Sequence, residues 1–209
     1  MQKKFPHRIT LSALRPTQMT VGLLHVKNKR RRLRELEKRP AELVDFILEH
    51  PIRVVHGPRD QAYVIDHHHL ALALIKENFE TAPMHVEDDF SSLSMKSFWA
   101  EMHERKFVHL IDAEGKQRDF RALPKCLREL QDNPYRSLAG FVRENGGFQK
   151  VPTPFSEFLW AEYYRERIKE KLIRKDFDKA LTEAMRLARS DEARHLPGYS
   201  SPSSKTKNK

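Results

Sequence analysis

A change of hydrophobic period at residues 62–78 constrains the fold of this 209-residue chain more than any other feature. Residues 62–65 form a short apolar run typical of a β-strand, and from residue 67 onward the apolar positions recur at the three-to-four residue interval of a helix. These helical positions are Leu70, Ala71, Leu74 and Ile75. Asp66 lies at the transition and suits the N-cap of that helix. The pattern therefore predicts a strand that leads through Asp66 directly into a helix.

Short β-type runs and helical patterns alternate over most of the remaining sequence. The predicted strands cover residues 9–14, 52–55, 62–65, 83–86, 107–111 and 117–120, with turns at 57–60 and 112–115 that suit hairpins. The predicted helices cover residues 26–36, a segment opened by Pro40 and ended by Pro51, and residues 67–78, 94–105, 123–130, 135–144 and 154–187, the last with a break near 174–178. We therefore expect a mixed α/β fold with a helical C-terminal extension.

Composition narrows the class of protein further. Lys and Arg number 39 against 29 Asp and Glu, and the resulting formal charge of +10 favours polyanionic partners such as nucleotides or nucleic acid. The longest apolar run is too short to span a membrane, and the basic N-terminus is not followed by the apolar segment of a signal peptide. Cys126 is the only cysteine, which excludes an internal disulfide and a cysteine zinc cluster. We expect a cytoplasmic protein with no membrane partner.

The run Asp66-His67-His68-His69 is the strongest candidate for chemistry. A helix that opens directly after a strand presents unpaired backbone N–H groups and a positive dipole end, which suit phosphate. The imidazoles add hydrogen-bond donors, and Asp66 suits either a magnesium ion or proton transfer. Successive helical side chains are rotated by about 100 degrees, so only one or two histidines face a common ligand. Two other interpretations stay open: Asp66 as a simple cap with exposed histidines, and, with less support from the spacing, zinc binding.

Several segments resemble one known family in their residues and in their order. The matching segments are residues 14–18, 63–74, 133–140 and 155–161, together with Val21, Gly22, Val26 and Lys29. They span residues 9–168 and are similar to the ParB-like "putative nuclease" branch of the ParB and sulfiredoxin superfamily. The resemblance implies a compact mixed α/β domain whose strand-to-helix motif binds nucleotide phosphates. Branches of the superfamily use this pocket as a nucleoside-triphosphate switch on DNA, for cysteine chemistry with ATP, or to phosphorylate free serine.

Departures from the relatives narrow the activity that the resemblance implies. Sulfiredoxins carry a cysteine in the motif, where this chain has histidine, so sulfinic acid repair is not expected. The serine kinases place a glutamate base near the first strand, where this chain has Gln18, and an amide does not act as a carboxylate base. Leu70 replaces an arginine that many relatives direct at phosphate. The phosphate-binding residues implied here are Arg15, Thr17, Gln18, Lys29, His67, His68 and His69.

Charged groups elsewhere in the chain supply further candidates. Glu87 and Asp89 follow a predicted strand and are expected to join Asp66 around magnesium, although such a run is more often an exposed strand exit. The basic cluster on the first predicted helix suits a nucleic-acid backbone, and a solvated helix face is the plainer interpretation. This cluster consists of Lys27, Lys29, Arg30, Arg31 and Arg32. Arg136 and Glu157 either line the cleft or brace helix packing.

These features predict four segments and a provisional function. Residues 1–8 form a basic lead, 9–122 a nucleotide- or phosphate-binding core, 123–196 a helical extension packed on that core, and 197–209 a disordered basic tail. The expected ligand is a nucleoside di- or triphosphate or a phosphorylated small molecule with Mg²⁺, and DNA is a further expected partner. Catalysis as a nuclease or phosphodiesterase would use Asp66 and His68. The alternatives are a small-molecule phosphotransferase, a DNA-associated protein of the chromosome-partitioning type and a non-catalytic protein-interaction scaffold.

Overall fold

The structure is a computed structural model that describes residues 7–200, and it divides the chain into two compact units. Within the described residues, the first unit comprises residues 7–21 and 26–132, and the second comprises residues 22–25 and 133–200. The first unit therefore extends to Asp132, and residues 22–25 belong to the second unit. The mixed α/β class is confirmed.

The first unit contains all the strands that the structure describes. They are β1 Arg8–Thr10, β2 Arg15–Pro16, β3 Thr20–Val21, β4 Ile52–Gly57, β5 Gln61–Asp66, β6 Thr81–Asp89 and β7 Gln131–Asp132. Five of them form a sheet in the order β1-β6-β4-β5-β2, in which β4 runs parallel to β6 and antiparallel to β5, and β3 pairs with β7 in a separate parallel ladder. The β4–β5 hairpin forms at the turn that the sequence predicts.

Four helices begin before residue 105 and accompany these strands. They are α1 Leu23–Glu37, α2 Pro40–Glu49, α3 His68–Lys76 and α4 Met95–Glu104. Pro40 opens α2 at its first turn, and the Ser94 hydroxyl caps α4 by accepting the Ser97 N–H at 3.1 Å. Residues 70–75 of α3 are all buried, and they pack in one cluster with Ile52, Val54 and Val64 of the sheet. The helix predicted after Asp66 is therefore the central helix of the first unit.

The second unit is built from four further helices. They are α5 Pro134–Glu144, α6 Ser156–Arg165, α7 Glu170–Lys175 and α8 Phe177–Ala188. Trp160, whose side chain is fully buried, stacks on Phe148 with ring centroids 4.3 Å apart. The break predicted near 174–178 is confirmed, since the Asp176 side chain caps α8 by accepting the Lys179 N–H at 3.0 Å. A second break, between Arg165 and Glu170, was not predicted from the sequence.

Three local predictions are wrong. Residues 9–14 form only a short strand followed by a 3-10 turn at Leu11–Ala13, and residues 123–130 contain only the 3-10 turn Leu127–Glu129. The hairpin expected over 107–120 is reduced to a single bridge between Ile111 and Gln117. The Asp112 carboxylate accepts the N–H groups of Glu114 and Lys116 there, so a side chain supplies the turn bonds that a strand ladder would otherwise make.

The structure describes the first four residues of the predicted tail, 197–200. Trp160 Nε1 donates to the Pro197 carbonyl at 2.8 Å, and Gln149 N donates to the Gly198 carbonyl at 2.8 Å. Residues 197–200 are therefore held in the second unit, while residues 1–6 of the predicted basic lead and 201–209 of the predicted tail lie outside the described residues. Across residues 7–200, none of the helices combines the length and the apolar character needed to cross a membrane.

Candidate functional site

The β5–α3 turn is sharper than the sequence predicts. Asp66 still pairs with Arg53 at the end of β5, and one residue separates it from the first residue of α3. His67 takes that position in the left-handed conformation, with φ 66° and ψ 25°. The exposed Asp66 carboxylate accepts the His67 N–H at 2.6 Å. The predicted N-cap is therefore wrong by one residue, and the role of Asp66 is to hold the turn from outside the helix.

His67 and His68 make different contacts, and His67 precedes the helix. His67 Nδ1 lies 2.9 Å from the Pro51 carbonyl, so its ring is directed at the chain that enters β4. His68 is only 5% exposed, and its Nε2 accepts the Thr17 N–H at 3.4 Å. Because a backbone N–H only donates, this contact fixes Nε2 of His68 as an acceptor. His69 is half-buried on the first turn of α3.

The loop after β2 is joined to the turn through Thr17. Its hydroxyl donates to the Val64 carbonyl at 2.6 Å and lies 3.5 Å from His68 Nε2. Gln18 is also buried, and its amide donates to the Thr20 carbonyl at 2.9 Å. The structure therefore brings Thr17 and His68 together, and it makes His68 a buried support for the loop rather than an exposed acid or base.

The start of α3 carries the positive end of the helix dipole, and the Asp66 carboxylate lies beside it on the His67 N–H. No acidic residue lies in the first turn of α3, and residues 70–75 behind it are all buried. A helix dipole acts more strongly when the helix is surrounded by apolar groups than when it lies in water. The N–H groups of the first turn, the Asp66 carboxylate and the half-buried His69 are thus the chemical groups that this turn offers to a ligand.

Arg15 does not reach the β5–α3 turn. β2 pairs in parallel with β5, with Arg15 opposite Tyr63, and the guanidinium donates to Gln61 Oε1 at 2.7 Å and to the Lys125 carbonyl. It is therefore directed toward the beginning of β5, while Asp66 ends that strand. Lys29 lies on α1. The phosphate set predicted from the resemblance is thus assembled only in part.

Part of the basic surface of α1 is paired with the half-buried carboxylate of Glu77. Arg30 Nε and Arg34 Nε lie 2.5 Å and 2.8 Å from the carboxylate of Glu77, and the bond from Arg34 holds the pKa of Glu77 below its ordinary value. Arg32 lies over the ring of Phe46 and Arg31 donates to Asn28, while Lys27 is exposed. Arg30 therefore acts within the fold, and the exposed members of the cluster are Lys27, Arg31 and Arg32.

The carboxylates predicted to hold magnesium are not brought together. Asp66 lies beside Arg53 on one side of β4, while Asp89 pairs with His56 on the other side and further along. Glu87 is bound by the Arg53 guanidinium, and the Asp89 carboxylate accepts the Ser91 N–H. Among residues 7–200, no group of three or more His, Cys, Asp and Glu side chains could hold a metal ion. Asp66 is thus the only member of the predicted set at the turn.

Arg136 and Glu157 support the packing of the second unit. Arg136 is 5% exposed, its Nη2 lies 3.7 Å from Glu157 Oε2, and its guanidinium carbon lies 3.4 Å from the centroid of the Phe158 ring. Burial lowers the pKa of Arg136 to about 10, although the negative charge of Glu157 acts to raise it. Glu157 also binds Arg143, so one carboxylate holds two arginines of α5. Of the two interpretations left open by the sequence, this geometry favours the brace.

Comparison with known proteins agrees with this architecture. The crystal structure of protein Atu1540 from Agrobacterium tumefaciens is similar, with 46% sequence identity and a TM-score of 0.87 over 93% of this chain and 96% of that chain. No curated protein matches the sequence. The model of the ParBc_2 family, described as "Putative ParB-like nuclease", matches residues 7–166. The chain therefore belongs to this ParB-like family.

Proposed function

We propose that this protein binds the phosphate groups of a nucleotide at the β5–α3 turn. The observation that carries the proposal is the contact between Thr17 and the buried His68, which ties the loop after β2 to the first turn of the central helix. A turn held at both ends in this way is preorganised, so binding would cost little conformational entropy. Family membership is consistent with this use of the motif.

The proposal assigns a different task to each group at the turn. The N–H groups of the first turn of α3 donate to phosphate oxygens, favoured by the dipole of a buried helix. His69 donates a further, charge-assisted hydrogen bond to the phosphate. Asp66 is exposed and acidic, so it would repel a bare phosphate and attract one that carries magnesium. Thr17 and His68 act by holding the loop and the helix in register.

His69→Ala is expected to weaken nucleotide binding about tenfold, because a hydrogen bond to a charged group contributes roughly 1.5–3 kcal/mol. The measurement is isothermal titration of ATP, CTP and GTP, each with and without magnesium. His85→Ala is the matched control, since it removes an exposed histidine from β6. Equal affinity of wild type and His69→Ala for every nucleotide would contradict the proposal, provided that thermal melting shows both proteins folded.

In the same titrations, Asp66→Asn distinguishes the contribution of magnesium to nucleotide binding from that of the phosphate groups. The amide oxygen keeps an acceptor for the His67 N–H, so the turn is retained while the charge is removed. Without magnesium, the variant is expected to bind at least as tightly as wild type, because the repulsion is gone. With magnesium, it is expected to bind about tenfold more weakly. A magnesium response identical in the two proteins would exclude Asp66 as the metal-binding group.

A further inference from the structure

A cavity lies in the first unit, at the beginning of β5. Its volume is about 350 Å³, and it is lined by β2, the β4–β5 turn, α4 and the loop 120–125. The lining residues that carry chemistry are Arg15, Arg59, Tyr63, Trp99, Phe120 and Lys125. This volume falls within the range of pockets that hold small ligands. The Trp99 side chain is partly exposed and forms part of this wall.

All the charges that line this cavity are positive. Arg15, Arg59 and Lys125 contribute three cations, and no Asp or Glu lies among the lining residues. Arg15 is held in place by Gln61 and by the Lys125 carbonyl. Burial raises the pKa of the Tyr63 hydroxyl, while the charges of Arg15 and Arg59 act to lower it. Both arginines therefore interact electrostatically with this side of the cavity. An anionic group is therefore the complement of this cavity.

The apolar wall of the cavity is aromatic. Trp99 stacks on Phe120 with ring centroids 5.0 Å apart and planes at 20°, and its edge meets Tyr63 at 5.4 Å. Phe98, which is fully buried, packs against both Tyr63 and Trp99 and so limits the movement of these two rings. Rings fixed in this way suit a planar ligand group, since stacking of a nucleobase on aromatic side chains contributes about 1–3 kcal/mol.

This cavity is separate from the β5–α3 turn. Gln61 lines the cavity and begins β5, whereas Asp66 ends the same strand. A strand rises about 3.3 Å per residue, so the two positions lie roughly 16 Å apart. One phosphate group cannot occupy both places.

We propose that this cavity binds one nucleotide unit, with the base against Trp99 and Phe120 and the phosphate near Arg59 and Lys125. The unit comes either from a free mononucleotide or from single-stranded nucleic acid, because both offer the same base and phosphate. Three cations beside stacked rings are the combination that single-strand binding surfaces use. The inference does not depend on nucleotide binding at the β5–α3 turn.

The test uses the fluorescence of Trp99 in the full chain. Adenosine 5′-monophosphate and a ten-nucleotide oligodeoxyadenylate are the probes, with adenosine and inorganic phosphate as the two half-ligands. Saturable quenching is expected with a nucleotide probe, more weakly with either half-ligand, and it should be lost in Trp99→Phe. Arg59→Gln and Lys125→Gln are each expected to raise the dissociation constant about tenfold. Lys96→Gln is the matched control, because Lys96 is an exposed residue of α4 outside the lining.

The outcomes separate the two sources and the two sites. Quenching by the oligonucleotide at concentrations tenfold below the mononucleotide identifies nucleic acid as the source, and equal or tighter binding of the mononucleotide identifies the free nucleotide. His69→Ala should leave the quenching unchanged, so this result stands even if the β5–α3 turn binds nothing. Absence of saturable quenching by both probes, or quenching that Arg59→Gln and Lys125→Gln leave unaltered, overturns the inference.

Discussion

Trp160→Ala is expected to lower the free energy of unfolding of the second unit by about 4 kcal/mol, as large-to-small changes of buried aromatic residues do. Trp160 is fully buried, stacks on Phe148 and packs edge-on against Tyr163, so its removal leaves a cavity among rings that cannot all move to fill it. The change also leaves the Pro197 carbonyl without its donor. Chemical denaturation followed by circular dichroism measures the loss.

Two variants divide this effect into its parts. Trp160→Phe keeps an aromatic ring but removes the donor to Pro197, and we expect a smaller loss of about 1–2 kcal/mol. Leu159→Ala is the matched control, because Leu159 is the preceding residue of α6 and is 46% exposed. Its expected loss is below about 1 kcal/mol. If Trp160→Ala cost no more than Leu159→Ala, the description of this core would be wrong.

Glu157→Gln is expected to destabilise the second unit by about 3 kcal/mol, because it leaves the buried charge of Arg136 without a counter-ion. Arg136 lies over the ring of Phe158 and its Nε and Nη1 have no hydrogen-bond partner within residues 7–200, so it depends on Glu157 for compensation. Arg143, which is partly exposed, loses the same carboxylate and can be solvated instead. Denaturation midpoints of wild type and variant measure the effect.

A double variant tests whether the unpaired charge is the cause. Arg136→Met combined with Glu157→Gln removes the buried cation, so the double variant is expected to be at least about 1 kcal/mol more stable than Glu157→Gln alone. Glu166→Gln serves as control, because its exposed ion pair with Arg167 contributes less than about 1 kcal/mol. A double variant that is less stable than Glu157→Gln would show that Arg136 contributes mainly through packing.

The elements whose signals are local could be predicted from the sequence. The change of hydrophobic period at Asp66 correctly predicts β5 followed by α3, and the Gly57-Pro58 turn correctly predicts the β4–β5 hairpin. Pro40 and Ser94 mark the starts of α2 and α4 for stereochemical reasons that do not require the tertiary fold. Of these signals, the change of period at Asp66 is the one that lies at the candidate site.

The predictions that failed depend on register and on side-chain direction. Asp66 does not cap α3 because His67, in the left-handed conformation, lies between the end of β5 and the helix, and the hydrophobic period of the sequence does not reveal this extra residue. Arg15 is directed away from the β5–α3 turn because it pairs with Tyr63, in the first half of β5. Asp89 does not lie beside Asp66 because the two residues are on opposite sides of β4. Sequence adjacency to a motif therefore did not imply spatial adjacency to the site.

The most direct test of nucleotide binding at the β5–α3 turn is an amide ¹H–¹⁵N correlation spectrum recorded during titration with the nucleotide that binds most tightly. The account predicts that the largest shifts occur at Asp66, His67, His68, His69 and Leu70, accompanied by Thr17 through its contact with His68. Shifts confined to the cavity around Trp99, or no shifts at saturating nucleotide with magnesium, would contradict it.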